Sequence, residues 1–199
     1  MFENLDLVWV DWVLLAVSTL SVLLMLERAW FFWGRRGDAE ALIRDVSACL
    51  DRGAADEAAW RLGSSKTMAA VVGLQVVKAA VPPEGLEDVY KGSVETERLR
   101  YERGLSSLAS IGANAPFLGL LGTVIGIIEA FHTLSGLDPG ADRASVVMSS
   151  IGSALRSTAL GIIVALPAVV AYNAYQRRID VAVGRTEALV RAILARRRA

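Results

Sequence analysis

The sequence predicts an all-α integral membrane protein with three membrane-spanning helices, and three observations support this class. The 199 residues are 54% hydrophobic, whereas soluble domains average roughly 45–50%. The apolar residues are gathered in three long runs, and a run of about 20 apolar residues can cross a bilayer as a helix. The charged residues, 21 basic and 21 acidic, are segregated between these runs instead of being spread evenly.

The first apolar run predicts a retained membrane helix over about residues 8–33. A secretory signal peptide has a basic start and a cleavage site of small residues, and this segment has neither. The charged residues within positions 1–11, the last of which is Asp11, are all acidic, and Arg35 and Arg36 follow the run. Because positive charge stays on the cytoplasmic side of a membrane, residues 1–33 are expected to form a periplasmic N-terminus and an inward-running helix.

Residues 34–108 have the charge content of soluble helices and predict a cytoplasmic helical domain. Helical spacing of apolar residues runs through 39–50, 54–62, 66–81 and 86–107. The last of these segments is expected to continue straight into the second membrane span. We assign no chemistry to this domain, whose charges are typical of solvated helix faces.

The second and third apolar runs predict membrane spans over residues 109–131 and 145–172. A short periplasmic loop, residues 132–144, joins them and contains the turn signal Asp138-Pro-Gly140. Basic residues flank the inner ends of both spans, so all three spans give one topology with the N-terminus periplasmic and the C-terminus cytoplasmic. Residues 173–199 keep helical spacing and predict one long cytoplasmic C-terminal helix.

The second span carries a narrow face of small residues. Glycines lower helix propensity, and close contact between helices is the usual compensation, so we expect Gly119, Gly122 and Gly126 to pack against a neighbouring helix. At about 100° per residue, the members of this face fall within about 60° of each other; they are Gly119, Thr123, Gly126 and Ala130.

Two prolines belong to the predicted spans. Pro116 is expected in the first turn of its helix, where a missing backbone N–H costs little. Pro167 lies inside the third span, where proline frees a backbone carbonyl and can kink the helix.

Thr123 and Thr158 are the polar residues of first interest within the spans. A helical threonine commonly donates its hydroxyl to the carbonyl one turn earlier, which is a structural role. A hydroxyl can also pass or position a water or an ion, because it donates and accepts while staying neutral. Small polar residues at the start of the third span allow either helix packing or a wetted wall; they are Ser149, Ser150, Ser153 and Ser157.

Glu129 and Arg156 place charges within the second and third spans. An unpaired ion at membrane depth is unfavourable, and such residues face the protein interior or pair with one another. We predict that Glu129 and Arg156 pair, within one subunit or between subunits. The alternative is that Glu129 lies in water at the interface while the Arg156 side chain extends outward to solvent.

The composition argues against several functional classes. One cysteine, Cys49, and one histidine, His132, give no internal disulfide and no cluster of metal-binding histidines. A net charge of zero predicts no bulk attraction to nucleic acid. The chain shows no nucleophile–base set and no phosphate loop. We therefore expect neither an enzyme nor a metal or cofactor site.

Two stretches resemble a known family. Residues Ala115-Pro-Phe-Leu-Gly-Leu-Leu-Gly-Thr-Val-Ile-Gly-Ile127 are similar to the signature of the MotA/TolQ/ExbB family of ion-channel subunits. Residues Ser157-Thr-Ala-Leu-Gly-Ile-Ile-Val-Ala-Leu-Pro-Ala-Val-Val-Ala-Tyr-Asn173 resemble the third membrane helix of its ExbB and TolQ branch. Together the two resemblances cover roughly residues 109–175.

The resemblance implies roles for single residues. Thr123 and Thr158 fall where the family carries threonines that line the ion path, and Pro167 falls on a shared feature of the fold. The resemblance also implies that Ser153 lies on this path. The chain departs from the family pattern here, because members of the ExbB and TolQ branch usually carry glutamate at this position.

The resemblance also implies an assembly. Three spans of one short chain cannot enclose a large aqueous path. The small-residue faces and the buried polar groups therefore predict an oligomer in lipid whose second and third spans line a shared interior. The family forms pentameric bundles around a single-span partner similar to ExbD or TolR, which carries a titratable aspartate. This chain has no aspartate in residues 109–131 or 145–172, which is consistent with a partner that supplies the acid. Glu129 acting as the chain's own proton site is the competing interpretation.

The implied function is that of an ExbB-like subunit of a motor driven by the proton-motive force in the bacterial inner membrane. Such a motor energises TonB-dependent outer-membrane transport by passing work to a protein similar to TonB or TolA. A TolQ-like role in envelope maintenance, or another ion-driven stator, is the alternative within the family. A structural membrane scaffold is the alternative from another class. Hydroxyl-lined paths suit sodium as well as protons, so the sequence leaves the ion open.

Overall fold

The computed structural model describes residues 8–82, 85–136 and 143–197. Within these residues the chain forms seven α-helices, which confirms the all-α prediction. In chain order they are α1 (Val8–Trp33), α2 (Ala39–Asp51), α3 (Ala55–Gly63), α4 (Met68–Lys78), α5 (Leu86–Glu102), α6 (Leu105–Ser135) and α7 (Arg143–Arg197).

Three of these helices, α1, α6 and α7, are long and apolar enough to span a membrane. Large apolar side chains cover their outer surfaces; examples are Trp30, Phe117 and Val170, with 84%, 67% and 66% of each residue exposed. The most apolar stretch of α1 has 17% of its residues buried, against 33% for α6 and for α7. Helix α1 therefore leaves the larger share of its surface for lipid or for another protein.

The chain divides into two compact units. The first, called here the apolar unit, is formed by the described residues within 1–26 and 104–173. The second, called here the polar unit, is formed by the described residues within 27–103 and 174–199. Helices α1 and α7 each contribute to both units, because each continues through a boundary.

In the apolar unit, α6 and α7 approach each other at glycines. A methyl group built on Gly161 would lie 2.6 Å from the Ala115 carbonyl oxygen, and one built on Gly119 would lie 2.7 Å from the Ser157 carbonyl oxygen. Both distances are shorter than any normal carbon–oxygen contact, so the two backbones touch because side chains are absent. Gly122 likewise faces the Ser157 side chain, as expected for the small residues of this span.

In the polar unit, α2–α5 pack around an ordinary apolar core that the last part of α7 completes. The Asp38 carboxylate caps α2 by accepting from the backbone N–H groups of Glu40 and Ala41, both at 3.0 Å. The core members named here are aliphatic residues and one methionine; they are Val46, Leu62, Met68, Val72, Leu189 and Ile193, each 1% exposed or less.

A buried carboxylate, Glu97 of α5, also belongs to the polar unit and is 1% exposed. It accepts from the Arg100 guanidinium at 2.6 Å and lies 3.5 Å from the Arg35 guanidinium. Arg35 stacks on the Tyr101 ring, and burial raises the pKa of the Tyr101 hydroxyl. The two arginines supply the charge that a buried carboxylate requires.

The sequence prediction for the end of the cytoplasmic segment is wrong. Residues 86–107 were expected to form one helix that runs straight into the second span, but α5 ends at Glu102 and α6 begins at Leu105. Gly104 breaks the helix because its φ of 76° lies in the left-handed region, which favours glycine. The segment predicted over 66–81 is also shorter, since α4 covers Met68–Lys78.

Pro116 does not lie in a first turn, because α6 starts eleven residues earlier at Leu105. It lies inside the helix, where it has no N–H to donate to the Gly112 carbonyl one turn before. Pro167 also lies inside its helix, α7, as predicted. The predicted turn Asp138-Pro-Gly140 lies outside the described residues.

Candidate functional site

The hydroxyls of Thr123 on α6 and Thr158 on α7 are hydrogen-bonded to each other. Thr158 also donates to the carbonyl oxygen of Gly119 on the opposite helix at 3.1 Å. The Thr123 hydroxyl lies 3.4 Å from the carbonyl oxygens of Gly119 and Ala154. The structure therefore brings together the two threonines that the sequence analysis singled out, and both are half-buried.

The glycines explain why two short hydroxyl side chains can meet. A methyl group on Gly119 would lie 3.0 Å from Thr158 Cα, and one on Gly161 would lie 3.0 Å from Gly119 Cα. The backbones of α6 and α7 are thus in direct contact one turn from the threonine pair. Any larger residue at these positions would separate the helices and the two hydroxyls.

The hydroxyl geometry bears on the two interpretations of the threonines. The bond from Thr158 crosses to α6 and does not return to its own helix. The Thr123 hydroxyl is within 3.4 Å of the carbonyl one turn earlier, as in ordinary helical packing, but it also contacts α7. Two hydroxyl oxygens and two carbonyl oxygens, one of each from either helix, therefore lie together, and all four belong to neutral hydrogen-bonding groups.

Arg156 forms its ion pair with Asp11 of α1, at 3.2 Å between Nη2 and Oδ2. The predicted pairing of Arg156 with Glu129 within one chain is therefore not what the structure shows, because a closer carboxylate from α1 occupies that position. Pairing between subunits stays a prediction. The second oxygen of Asp11 accepts from the Ser157 hydroxyl at 2.7 Å.

Asp11 is a residue that the sequence analysis missed as a site residue. It was counted only among the acidic residues that set the topology of the first span. The signal was present, because a carboxylate in the first turns of an apolar helix requires a partner. Sequence alone could not show that α1 packs on α7 at this level. Helical spacing therefore could not decide whether Asp11 or Glu129 pairs with Arg156.

Glu129 is half-buried on α6. Its Oε1 is enclosed and receives no hydrogen bond from the part of the chain that the structure describes. His132, one turn later, is exposed. An enclosed carboxylate oxygen without a donor is an unusual feature in a helix of this kind.

The serines of α7 have different environments. Ser157 is fully buried where α7 meets Asp11 and Gly122, so the packing interpretation applies to it. Ser150 donates to the Val146 carbonyl one turn earlier at 3.0 Å. Ser153 is half-buried on the same helix, and its expected place on an ion path stays a prediction.

Comparisons with known proteins agree with the motifs. A family model described as the MotA/TolQ/ExbB proton channel family matches residues 63–188, which is more than half of the chain. The biopolymer transport protein ExbB of Neisseria gonorrhoeae is 47% identical over 78 residues, covering 39% of this chain and 34% of that protein. The Tol-Pal system protein TolQ of Pseudomonas aeruginosa is 34% identical over 102 residues, covering 51% and 43%.

A third relative, the putative biopolymer transport protein ExbB-like 2 of Helicobacter pylori, is 41% identical over 88 residues, covering 43% of this chain and 55% of that protein. The matches thus span between about a third and just over half of the length of these relatives. Together with the three long apolar helices, the ExbB and TolQ relatives indicate an inner-membrane protein. The predicted resemblance is confirmed, and the chain belongs to the MotA/TolQ/ExbB proton channel family, on the side of its ExbB and TolQ members.

Proposed function

We propose that this chain is an ExbB-like subunit of a motor that is driven by the proton-motive force. In this proposal α6 and α7 of several copies line a shared interior, and cations pass the hydroxyls of Thr123 and Thr158. The motor energises TonB-dependent transport across the outer membrane. The membership of the family and the ExbB relatives support a proton-channel motor subunit.

The observation that carries the proposal is the hydroxyl pair itself. Thr123 and Thr158 come from different helices, bond to each other and lie next to the close contact of Gly119 with α7. A hydrogen bond between two helices can hold them together in lipid. Two half-buried hydroxyls that can exchange donor and acceptor roles also give a neutral element along which a proton or hydrated ion is passed.

An oligomer is proposed because one chain leaves wide apolar surfaces uncovered. Phe117, Leu120 and Ile128 of α6 are each more than half exposed, as are Leu155 and Leu166 of α7. Five copies around single-span helices of an ExbD- or TolR-like partner would cover one such face and leave the other to lipid. The partner then supplies the titratable aspartate, and a TonB- or TolA-like protein receives the work.

The proposed orientation places the start of α1 in the periplasm and the end of α7 in the cytoplasm. Arg35 and Arg36 follow α1, and several arginines lie on the last part of α7, including Arg177 and Arg178. The positive-inside rule assigns both groups to the cytoplasm. The polar unit, with its capped helices and ion pairs, then forms a cytoplasmic domain.

A TolQ-like motor for envelope maintenance is the second candidate, and the TolQ relative favours it. The two roles share the ion path and differ in the protein that receives the work. Co-purification with a TonB-like or with a TolA-like protein from the same organism separates them.

The test is co-expression with a small protein from the same genome that has one N-terminal span bearing an aspartate. Native mass spectrometry of the purified complex is expected to show five copies of this chain with two of the partner. A homo-oligomer that never retains such a partner would contradict the proposal and favour a structural membrane scaffold or a channel that uses Glu129.

A further inference from the structure

Three helices of the apolar unit meet at a small polar cluster formed by Asp11 of α1 and by Arg156 and Ser157 of α7. Asp11 lies 3.2 Å from the Arg156 guanidinium and 2.7 Å from the Ser157 hydroxyl. Gly122 of α6 closes the junction, since a methyl group there would lie 3.2 Å from Ser157 Oγ. The cluster is separate from the threonine pair but adjoins it, because Ser157 precedes Thr158.

The surroundings of Asp11 are mainly apolar. It lies at a groove of about 430 Å³. The other residues that line this groove are Trp12, Leu14, Leu15, Ser18, Leu160, Ile163 and Val164. Among the described residues, Asp11 is the one acid within ion-pair distance of Arg156. The Arg156 side chain, which is 66% exposed, thus has Asp11 as its charged partner, while the Asp11 carboxylate also accepts from Ser157.

At about 100° per residue, Arg156 and Thr158 point to opposite sides of α7, with Ser157 between them. The Arg156 charge thus lies across α7 from the threonine pair, at a distance of about 10 Å. At an effective dielectric constant of about 20, a unit charge at about that distance still acts on a passing cation. An unpaired guanidinium would repel a proton or sodium ion on the proposed path.

We propose that Asp11 is the counter-ion of Arg156, a positioning residue that cancels the arginine's field beside the Thr123–Thr158 pair. The inference rests on the proposed channel function and adds to it a residue from α1. In this inference the Asp11–Ser157 hydrogen bond has a smaller role than the ion pair, because it only holds the carboxylate in place.

Single substitutions separate the charge from the hydrogen bond. Asp11→Asn removes the negative charge and keeps a carbonyl oxygen that can accept from Ser157. Ser157→Ala removes the donor and keeps the ion pair. Arg156→Gln removes the cation. The double variant Asp11→Asn/Arg156→Gln has neither charge, and replacing both members of an ion pair is generally far better tolerated than removing one.

The experiment measures ion uptake by liposomes that contain the complex with its single-span partner under an imposed membrane potential. Asp11→Asn is expected to slow uptake roughly tenfold, because the unpaired guanidinium raises the barrier for a cation. The double variant is expected to return to within about twofold of the wild type, since the repelling charge is gone. Ser157→Ala is expected to be slowed less than Asp11→Asn.

A double variant as slow as Asp11→Asn would overturn the inference, because the lost geometry and not the charge would then be responsible. Wild-type rates in Asp11→Asn, or a larger loss in Ser157→Ala, would also overturn it. Native mass spectrometry of each variant checks that the assembly is intact.

Melting temperatures of the wild type, Asp11→Asn, Arg156→Gln and the double variant test the ion pair without any ion flow. The double variant is expected to melt above Asp11→Asn, because it has no unpaired arginine at position 156. If the wild-type complex passes no ions while this coupling is found, the proposed function fails and the ion-pair assignment stands. If the complex passes ions and the melting temperatures show no coupling, the counter-ion inference alone fails.

Discussion

The two units differ in what surrounds their glycines. A methyl group added to Gly161 in the apolar unit would lie 2.6 Å from a backbone oxygen, whereas one added to Gly73 in the polar unit would lie 2.9 Å from the end of the Leu189 side chain. The first neighbour cannot move without displacing a helix, whereas the second can rotate. Helices in lipid gain little from burying apolar surface against each other, so close backbone contact and polar groups carry their association. Helices in water are held by a side-chain core that adapts to small changes.

Gly161→Ala should have the largest effect on stability. The new methyl group meets the Ala115 carbonyl and Gly119 Cα, so α6 and α7 must separate. Overpacking of this kind destabilises by about 3 kcal/mol, and the gain in helix propensity of up to about 1 kcal/mol does not offset it. Thermal unfolding of the detergent-solubilised protein measures the loss.

Gly152→Ala is the matched control on the same helix. A methyl group there meets no atom within 4 Å, so only the gain in helix propensity remains and the melting temperature should hold or rise. Equal melting temperatures for the two alanine variants would contradict the glycine-contact account of the apolar unit.

The next largest effect is expected in the polar unit for Glu97→Gln. The change leaves Arg35 and Arg100 without their shared carboxylate. Breaking a buried pair costs several kcal/mol, but Arg100 is partly in solvent, so we expect about 2 kcal/mol. Amide hydrogen exchange in α5 measures it. Glu95→Gln, an exposed position on the same helix, should change little; equal effects at both positions would contradict a structural role for Glu97.

Gly73→Ala should cost much less than Gly161→Ala. Its methyl group meets the ends of the Leu189 and Leu62 side chains, which can change rotamer, and alanine improves helix propensity. We expect a net loss below about 1 kcal/mol. A loss as large as that of Gly161→Ala, read from the same unfolding experiment, would remove the distinction between the two units.

The smallest effect is expected for Asp51→Asn at the surface of the polar unit. The hydrogen bond from Arg196 holds the pKa of the Asp51 carboxyl below its ordinary value of 3.8. The ionised group therefore stabilises the fold at pH values above 3.8, and this contribution is lost as the pH falls through the lower folded-state pKa. The wild-type protein should melt slightly above the variant at pH 7, and the difference should shrink toward pH 3.

Asp56→Asn serves as the control for this pH dependence, because Asp56 is exposed in the same unit. A melting difference between the wild type and Asp51→Asn that grows as the pH falls would contradict the sign derived for Asp51.

Much of the fold could be predicted because its signals are local. The apolar run ending at Trp33 gave the bounds of α1. Of the small-residue face predicted on α6, Gly119 and Thr123 meet α7. The break at Gly104 was missed because a charged helix and an apolar helix adjoin there, and one glycine in a helical pattern does not reveal a positive φ.

The two hydroxyl residues of the candidate site could be predicted from the sequence, but the ion pair of Arg156 could not. Thr123 and Thr158 stood out because polar groups are rare in apolar runs. The partner of Arg156 depended on how α1 lies against α7, which is a tertiary contact between residues far apart in sequence. Helical spacing within one span carries no information about that contact.

The central claim is that the hydroxyls of Thr123 and Thr158 carry ions, and the most direct test is ion uptake by liposomes containing Thr123→Val/Thr158→Val with the single-span partner. Valine keeps the shape and removes the hydroxyls, so the assembly should persist in native mass spectrometry. The account predicts that uptake falls at least about a hundredfold, as expected if two transfer groups on one path are lost. Uptake at the wild-type rate in an intact assembly would contradict it and leave the threonines as packing residues.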